Sequence, residues 1–503
     1  MFLVSQIWTT SQTSVFQKKI ESKAYEILVA DSSSKFIQAG PLTFYEDSVC
    51  ISSTYSYMTK LIAPTNNLIK DFDNNGYSDI LGVYQYDATG IGMVAICFQN
   101  SLLNFSLKKV NTLYGSNPYG ITSYDFNNDG KMDIAYVVSG GGELRRIINN
   151  GNQNFSEQML YNSTISDTFY YINHIAVLSS NEIVFTDEGK SDGSNQGVHF
   201  YNGVSSSKIN NYCAEGLAIG DLNNDGKLDI VCSKGYFRGP GNVVFQLRQG
   251  SSWSSLYNIT TTPGYYHGVA VADMDNDGKL DVVITDDQND AILVYKNNGG
   301  NPPTFSLLAS ISVSSNLQAS EVKVYDLDCD GDNDIVWIRG MGRKEGYPNA
   351  GPSAGWINNP TIGGGGWTNY IIDSKNYSNY GLNVGLLNND NRPDIILSAS
   401  NVGLMQLAFF RVFYNISGGN CGVTPVSNFE NENLKILLDI NGNLIVSSSL
   451  LNSKFDIYNL QGIKVLDGTI KFLKTQLCLP SGVYLLKIYK NSKVFEKPFV
   501  IRR

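Results

Sequence analysis

Apolar positions along the chain come in short runs that either alternate with polar ones or are continuously β-branched, and no window sustains the i, i+3, i+4 spacing of an amphipathic helix. The stretch from Gly268 shows the pattern. GVAVAD (Gly268 to Asp273) alternates small apolar residues, and DVVIT (Asp281 to Thr285) is a β-branched run. AILVYKN (Ala291 to Asn297) follows, then the turn residues NNGG, then TFSLLASISV (Thr304 to Val313). This reads as four strands separated by turns.

The pattern recurs around an acidic nine-residue window. Copies are DFDNNGYSD from Asp71, DFNNDGKMD from Asp125, DLNNDGKLD from Asp221, DMDNDGKLD from Asp273 and DLDCDGDND from Asp326. Two weaker copies complete the series. LLNNDNRPD, Leu386 to Asp394, keeps Asn388, Asp390 and Asp394 but has Leu at the first position and Asn391 at the sixth. The segment His174 to Phe185 keeps the flanking strands and has lost the acids, with Ser180 at the first position. First positions are spaced by 54, 55, 41, 52, 53 and 60 residues, so seven units of one supersecondary size follow.

A four-stranded unit cannot bury both faces alone, and radial stacking leaves only short protected edges. The expected fold is all-β: a seven-bladed β-propeller of four-stranded blades over residues 24–420, followed by a small C-terminal β-sandwich over 430–503. The seventh unit ends in SGGNCG after Leu404 to Asn415 and lacks an outer strand. Residues 24–54, where EILVA and SVCISST read as strands, could supply it; a partial eighth blade stays open.

Oxygen ligands at alternating positions of a tight turn suit Ca²⁺, with Gly at the sixth position for the bend; Mg²⁺ prefers to retain several waters. The candidate ligands are Asp71, Asp73, Asn75 and Asp79; Asp125, Asn127, Asp129 and Asp133; Asp221, Asn223, Asp225 and Asp229; Asp273, Asp275, Asp277 and Asp281; Asp326, Asp328, Asp330 and Asp334. Lys279 would offer only its backbone carbonyl. An EF-hand needs an acidic twelfth position and flanking helices, but the twelfth residue here is Ile284, inside a strand. Turn chemistry alone would explain one or two such loops, not Asp recurring at first, fifth or ninth positions.

These loops resemble the FG-GAP or VCBS repeat of β-propellers, including those of integrin α-subunits and many bacterial secreted proteins, over about Leu61 to Asn415. The resemblance implies calcium between the first two strands of a blade, in a stabilising role. The third and seventh units depart from it.

Beyond Cys421 the composition shifts: Glu430 to Arg503 holds six acidic and eleven basic residues and short alternating strands. FDIYNLQGIKVLDG (Phe455 to Gly468), LPSGVYLLKIY (Leu479 to Tyr489) and KPFVIRR (Lys497 to Arg503) resemble the type A sorting domain of the type IX (Por) secretion system of Bacteroidetes, although LLDINGN stands in place of the usual Pro-Asn-Pro opening. The resemblance implies that the type IX machinery is a partner, with tail cleavage and an extracellular or outer-membrane-attached location. Residues 1–23 show neither a basic n-region nor a seven-residue apolar core, so a signal peptide is read as missing or truncated.

Six residues before each first position stand Thr65, Tyr119, His174, Glu215, His267, Ser320 and Tyr380, often followed by Gly. Two of the three histidines share this register, and Tyr170, Tyr171, Tyr212, Tyr265 and Tyr266 precede it. In a propeller these positions ring the channel mouth opposite the acidic loops. The candidate ligand-binding set is Tyr119, Tyr171, His174, Tyr212, Glu215, Tyr266, His267 and Tyr380; the alternative is that they only finish turns and fill the funnel. No catalytic residue is assigned. GPSAG, Gly351 to Gly355, fits the nucleophile-elbow pattern around Ser353 but lacks the strand–turn–helix context.

Charge and cysteines refine the picture. The chain of 503 residues carries 46 Asp+Glu against 37 Lys+Arg, a formal −9, with no basic cluster, which argues against nucleic acid. The five intact loops hold 18 of those acids, so the acidity is mostly a ligand set. No apolar run is long enough for a transmembrane helix. Seven scattered Cys without a CxxC exclude the usual zinc spacing and leave the redox compartment open. The expected function is a secreted or cell-surface calcium-binding module for a glycan or protein ligand. The alternative is an extracellular polysaccharide-degrading lyase or hydrolase using the channel mouth as cleft, and an integrin-like adhesion scaffold is a third reading.

Overall fold

The structure is a computed structural model that describes residues 36–49, 68–85, 92–111, 117–139, 142–162, 172–187, 196–212, 214–234, 239–313, 319–339, 352–362, 364–373, 378–388, 390–400, 408–417, 436–438, 443–446, 453–459, 464–471, 474–476, 482–490 and 493–501. The chain divides into two compact units, Met1–Ser417 and Gly418–Arg503. Among the described residues there is no helix, and hence none long and apolar enough to cross a membrane.

Within the first unit the strands pair as antiparallel sheets in chain order. Tyr266–Ala272, Asp281–Asp286, Ala291–Gly300 and Pro303–Ser312 form one such sheet. Sheets of four strands likewise begin at Leu68–Lys70, Asn117–Tyr124, Ile172–Ser179, Gly216–Gly220 and Ala319–Tyr325. The second strand of a sheet is buried along its length, as Asp229–Ser233 and Asp281–Asp286 are, because neighbouring sheets cover both of its faces. The fourth strand Pro303–Ser312 lies outermost and has most of its residues exposed or half-buried.

The hydrophobic cores lie between successive sheets. Val83 and Val94 pack with Ile121 and Tyr136; Val137 and Leu144 with Ile183 and Phe185; Val198 and Phe200 with Ile230 and Val244. Phe245 packs with Ile284 and Leu293, Val283 and Ile292 with Trp337 and Ile357, and Trp356 with Phe413 and Phe44. Finally Phe410 and Tyr414 meet Ile80 and Cys97 of the first sheet, so the succession returns to its start. This is the arrangement of a β-propeller, in which each sheet buries what it could not bury alone.

The last sheet joins both ends of the unit. Ser378–Gly385, Asp394–Ser400 and Ala408–Asn415 are followed by the N-terminal strands Leu42–Val49 and Phe36–Ala39, with Tyr45 opposite Tyr414. The outer strand thus comes from the expected part of the chain, where it overlaps SVCISST at Ser48 and Val49; Cys50 to Thr54 lie outside the described residues. LTFYEDSV takes the place because it delivers Phe44 and Tyr45, both fully buried, to the two seams. EILVA lies outside the described residues. The sheet has five strands, one more than its neighbours.

A buried ion-pair network locks this closure. Arg411, 0% exposed, donates from Nε and Nη2 to Glu46 Oε1 at 3.0 and 2.9 Å and from Nη1 to Asp373 Oδ2 at 2.7 Å. Ser353 is equally buried, its hydroxyl donating to Asp373. The GPSAG serine is therefore part of a structural network, consistent with its missing strand–turn–helix context.

In the second unit, Ile436–Leu438, Asn443–Val446 and Lys474–Gln476 make one sheet. Lys464–Thr469, Lys454–Asn459, Gly482–Lys490 and Lys493–Ile501 make another in that spatial order. Phe455 faces Ile488 and Ile457 faces Leu486 across the second sheet, all buried. The three quoted C-terminal motifs supply the strands of this sheet.

Truncating Arg411 strands two buried carboxylates, so Arg411→Ala should lower unfolding free energy by about 3–5 kcal/mol in urea titration. A change under about 1 kcal/mol, the range of exposed pairs, would show that the network does not hold the closure.

Candidate functional site: acidic loops and the opposite strand ends

Each intact acidic loop joins the first and second strands of a sheet and bends through two left-handed residues. In four loops the fourth position, Asn74, Asn128, Asn224 or Asn276, has φ of 56–57°, and the sixth, Gly76, Gly130, Gly226 or Gly278, has φ of 82–87°. A Cβ on these glycines would meet nothing, so the backbone angle, not crowding, selects Gly. The first Asp closes the turn: in these loops its Oδ1 accepts the N–H of the fifth residue and its Oδ2 that of the sixth, at 2.7–3.1 Å.

The ninth-position Asp has a different environment. Asp79, Asp133, Asp229, Asp281, Asp334 and Asp394 are all 0% exposed. One oxygen accepts the N–H of the second loop residue and the other the N–H of a third-strand residue, at 2.7–3.1 Å in all six. In five of the six that residue is Gln99, Asn149, Asn297, Asn359 or Asn415, whose side-chain amide reaches the second-position carbonyl of the preceding sheet's loop at 2.6–3.0 Å; for Asp229 it is Arg248. The motif reading missed this clasp, although IINNG, YKNNG, WINNP and FYNIS carry the same Asn in the sequence.

Carboxylates at the first, third and ninth positions converge in three loops: Asp71, Asp73 and Asp79; Asp273, Asp275 and Asp281; Asp326, Asp328 and Asp334. One oxygen from each lies within 4.8 Å of the others. These clusters can hold a metal ion, and Asp275 Oδ1 and Asp326 Oδ1 are buried without a hydrogen-bond partner, as ligand atoms awaiting a cation would be. Burial pushes the ninth carboxylates up, Asp79 to about 7, Asp229 and Asp281 to about 6 and Asp334 to about 8. In the loops from Asp125 and Asp221, Asn127 and Asn223 stand third, so the carboxylate count is lower.

The fifth-position carboxylates stand outside these three-residue clusters. Asp129, Asp225 and Asp277 pair with the seventh-position lysines Lys131, Lys227 and Lys279 at 2.7, 3.2 and 2.8 Å. Asn75 donates to the Gln99 carbonyl at 3.0 Å. In the third unit a tight turn at Ser180 and Asn181 replaces the loop. In the seventh, Asp394 keeps its structural bonds, and no carboxylate cluster forms there among the described residues.

At the opposite ends of the first strands lie the register residues. First strands are neighbours in succession from Asn117–Tyr124 through Ser378–Gly385. His267 Nδ1 lies 2.7 Å from the Ser320 carbonyl, and its Nε2 lies 3.8 Å from Glu215 Oε2, which is 1% exposed. Lys323 pairs with Glu321 at 3.0 Å. Burial, followed by the nearby His267 and Lys323, pushes half-buried His174 down to about 3, so it is neutral at ordinary pH. The structure thus brings His174, Glu215, His267 and Ser320 together from four successive sheets. The glycines of this register have a steric reason: a Cβ on Gly216 would come within 2.3 Å of the His267 carbonyl oxygen, and one on Gly268 within 2.8 Å of that of Ser320.

Not every aromatic candidate joins them. Tyr266 is 5% exposed, packed in a core, with its hydroxyl donating to the Thr262 carbonyl at 3.0 Å, so it is a packing residue. Half-buried Tyr212 donates to the Asn242 carbonyl. Tyr119 and Tyr380 lie in first strands, and their side chains, like all of Tyr171, fall outside the described residues.

Residues 71–136, 221–284 and 273–337 match the family model of FG-GAP-like repeats. No curated protein matches the chain. Among solved structures, an oligogalacturonate lyase in complex with manganese is 12% identical, with a TM-score of 0.44 over 76% of this chain and 98% of that one. BBS1N in complex with ARL6DN is 11% identical, TM-score 0.44, over 75% and 97%. A mutant puromycin hydrolase is 9% identical, TM-score 0.45, over 80% and 59%. At these identities and TM-scores the likenesses carry no argument about this chain.

The raised carboxylates fix the sign of a pH dependence. A group whose folded pKa exceeds its unfolded value of about 4 stabilises fully below that value and loses the contribution as pH rises through the folded pKa. In chelator, these Asp residues therefore favour the fold more at pH 5.5 than at pH 8. A bound cation reverses the preference, because it needs them ionised. The rise in melting temperature on adding calcium should be larger at pH 8 than at pH 5.5, and equal shifts at both would show that these carboxylates are not ligands.

Proposed function

We propose that the chain is an exported, calcium-stabilised β-propeller of seven blades that binds a glycan or protein ligand at the channel mouth opposite its acidic loops. The observation that carries this reading is the convergence of His174, Glu215, His267 and Ser320 from four successive sheets. Neutral imidazole, carboxylate, the Ser320 carbonyl and the nearby Lys323 ammonium offer donors and acceptors of both signs, which suits a hydroxyl-rich or peptide surface. Calcium is the favoured ion because the loop donors are all oxygen.

Export rests on two supports. Cys97 and Cys329 are each in a disulfide, the state an oxidising compartment maintains. The C-terminal motifs resemble a type IX sorting domain, which would direct the chain to the cell surface or the medium.

A glycan, polysaccharide and peptide screen with calcium present should yield a ligand whose affinity falls about tenfold or more in His267→Ala and Glu215→Gln, a loss of about 1.4 kcal/mol or more. Unchanged binding in both would remove the mouth from the reading, and release of cleaved polysaccharide would turn it toward an enzyme. Deleting residues 430–503 should trap the chain in the periplasm of a type IX-competent host, and normal export would refute the sorting role.

A further inference from the structure

The acidic loops are not equivalent. In units two, four and five a lysine at the seventh position already neutralises the fifth-position carboxylate. In unit five Lys296 also pairs with Asp275 and Asp277, so the cluster there competes with an internal cation. Unit one has Tyr77 at the seventh position. Only DLDCDGDND places an acid there, Asp332, and it contains no lysine.

The sixth-unit loop also differs in its bonds. Asp326 Oδ2 accepts the Gly331 N–H at 3.2 Å, but the Asp330 N–H turns to Asp328 Oδ1 at 3.2 Å, and Asp326 Oδ1 is left buried without a partner. Asp332 is 2% exposed. Its Oδ2 accepts the Ile362 N–H at 2.8 Å, while its Oδ1 is buried without a hydrogen-bond partner. The carboxyls of Asp330 and Asp328 are its close electrostatic neighbours, and its own N–H donates to Asp330 Oδ1 at 3.0 Å. Burial, then these neighbours, pushes Asp332 up to about 6. Three converging carboxylates, those of Asp330 and Asp332 beside them, and two buried orphan oxygens thus share one turn, with no lysine or arginine paired to it among the described residues. At its fourth position stands the left-handed Cys329, φ 65°, which is disulfide-bonded.

We infer that the Asp326–Asp334 loop is the highest-affinity calcium site of the propeller and that Asp332 supplies a carboxylate ligand at the seventh position, where the other loops offer only a backbone carbonyl. This rests on the calcium reading above and adds an order of filling to it. The first ion enters the sixth unit, where it cancels mutual carboxylate repulsion, while the lysine-bearing loops fill later because the ion must displace or tolerate an ammonium group.

Calorimetric titration of calcium into the chelator-stripped full chain tests this. One tight class of about one ion per chain is expected ahead of weaker classes. Asp332→Asn should weaken the tight class by at least about tenfold and leave the weaker classes in place. Lys227→Asp, at an exposed position of unit four, should add affinity there, which keeps the idea testable if Asp332→Asn does not fold. A tight class that survives Asp332→Asn, or vanishes in Asp277→Asn instead, would overturn the assignment while leaving calcium binding intact. No calcium heat in any variant would overturn the calcium reading itself.

Discussion

The carboxylate at the ninth loop position is the constraint on which the propeller depends. Six of these Asp residues are fully buried, a placement that would be costly for a charge left unpaired. Each is held by two backbone N–H groups, one from its own loop and one from the third strand. Charge-assisted bonds of this kind contribute about 1.5–3 kcal/mol each. They bind three strands at one end of the sheet, and the loop shape follows from them.

From that point the order spreads sideways. The third-strand Asn that caps its own Asp also donates to the loop of the preceding sheet, and Gln99 does so toward Leu387, across the closure of the ring. Where the third unit has lost its acidic loop there is no such carbonyl to grip. The equivalent fourth-unit residue is Arg248, which gives its N–H to Asp229 as its counterparts do and sends its guanidinium to Glu182 of the third unit at 2.6 Å. It stacks over Phe200 and Trp253 on the way. An ion pair with aromatic support thus stands in for an amide–carbonyl bond, and the junction is kept by different chemistry.

Much of this was legible in the sequence. The repeat of Asp and Gly at fixed spacing, flanked by β-branched runs, located the loops, strands and sheets, because turn geometry admits few residues at left-handed positions. The spacing also singled out the register of His174, Glu215 and His267. Three things were not legible. The ninth Asp was read only as a ligand, since its backbone partners carry no sequence signature. The third-strand Asn was hidden by variable hairpin lengths, which put it 16 residues after Asp281 but 25 after Asp334. Tyr266 stood among the candidate ligand-binding aromatics because adjacent positions of a strand face opposite ways, and sequence alone does not say which of Tyr265, Tyr266 and His267 turns into the core.

The two ends of the molecule are joined by the same strands. In Tyr266–Ala272, His267 stands at one end and leads after six residues, roughly 20 Å of extended chain, to the first loop position, Asp273. The mouth groups are held lightly by their own bonds: His267 rests on one carbonyl and one carboxylate, and Gly216 and Gly268 let the neighbouring strands touch backbone to backbone. Their positions therefore depend on how firmly the first strands are fixed at the far end, where each loop carboxylate ties its strand to the next two. A cation held in the loop would stiffen that tie without touching the mouth. On the function proposed above, metal binding would act on ligand recognition by fixing where the strands stand, while contributing no group of its own to the ligand.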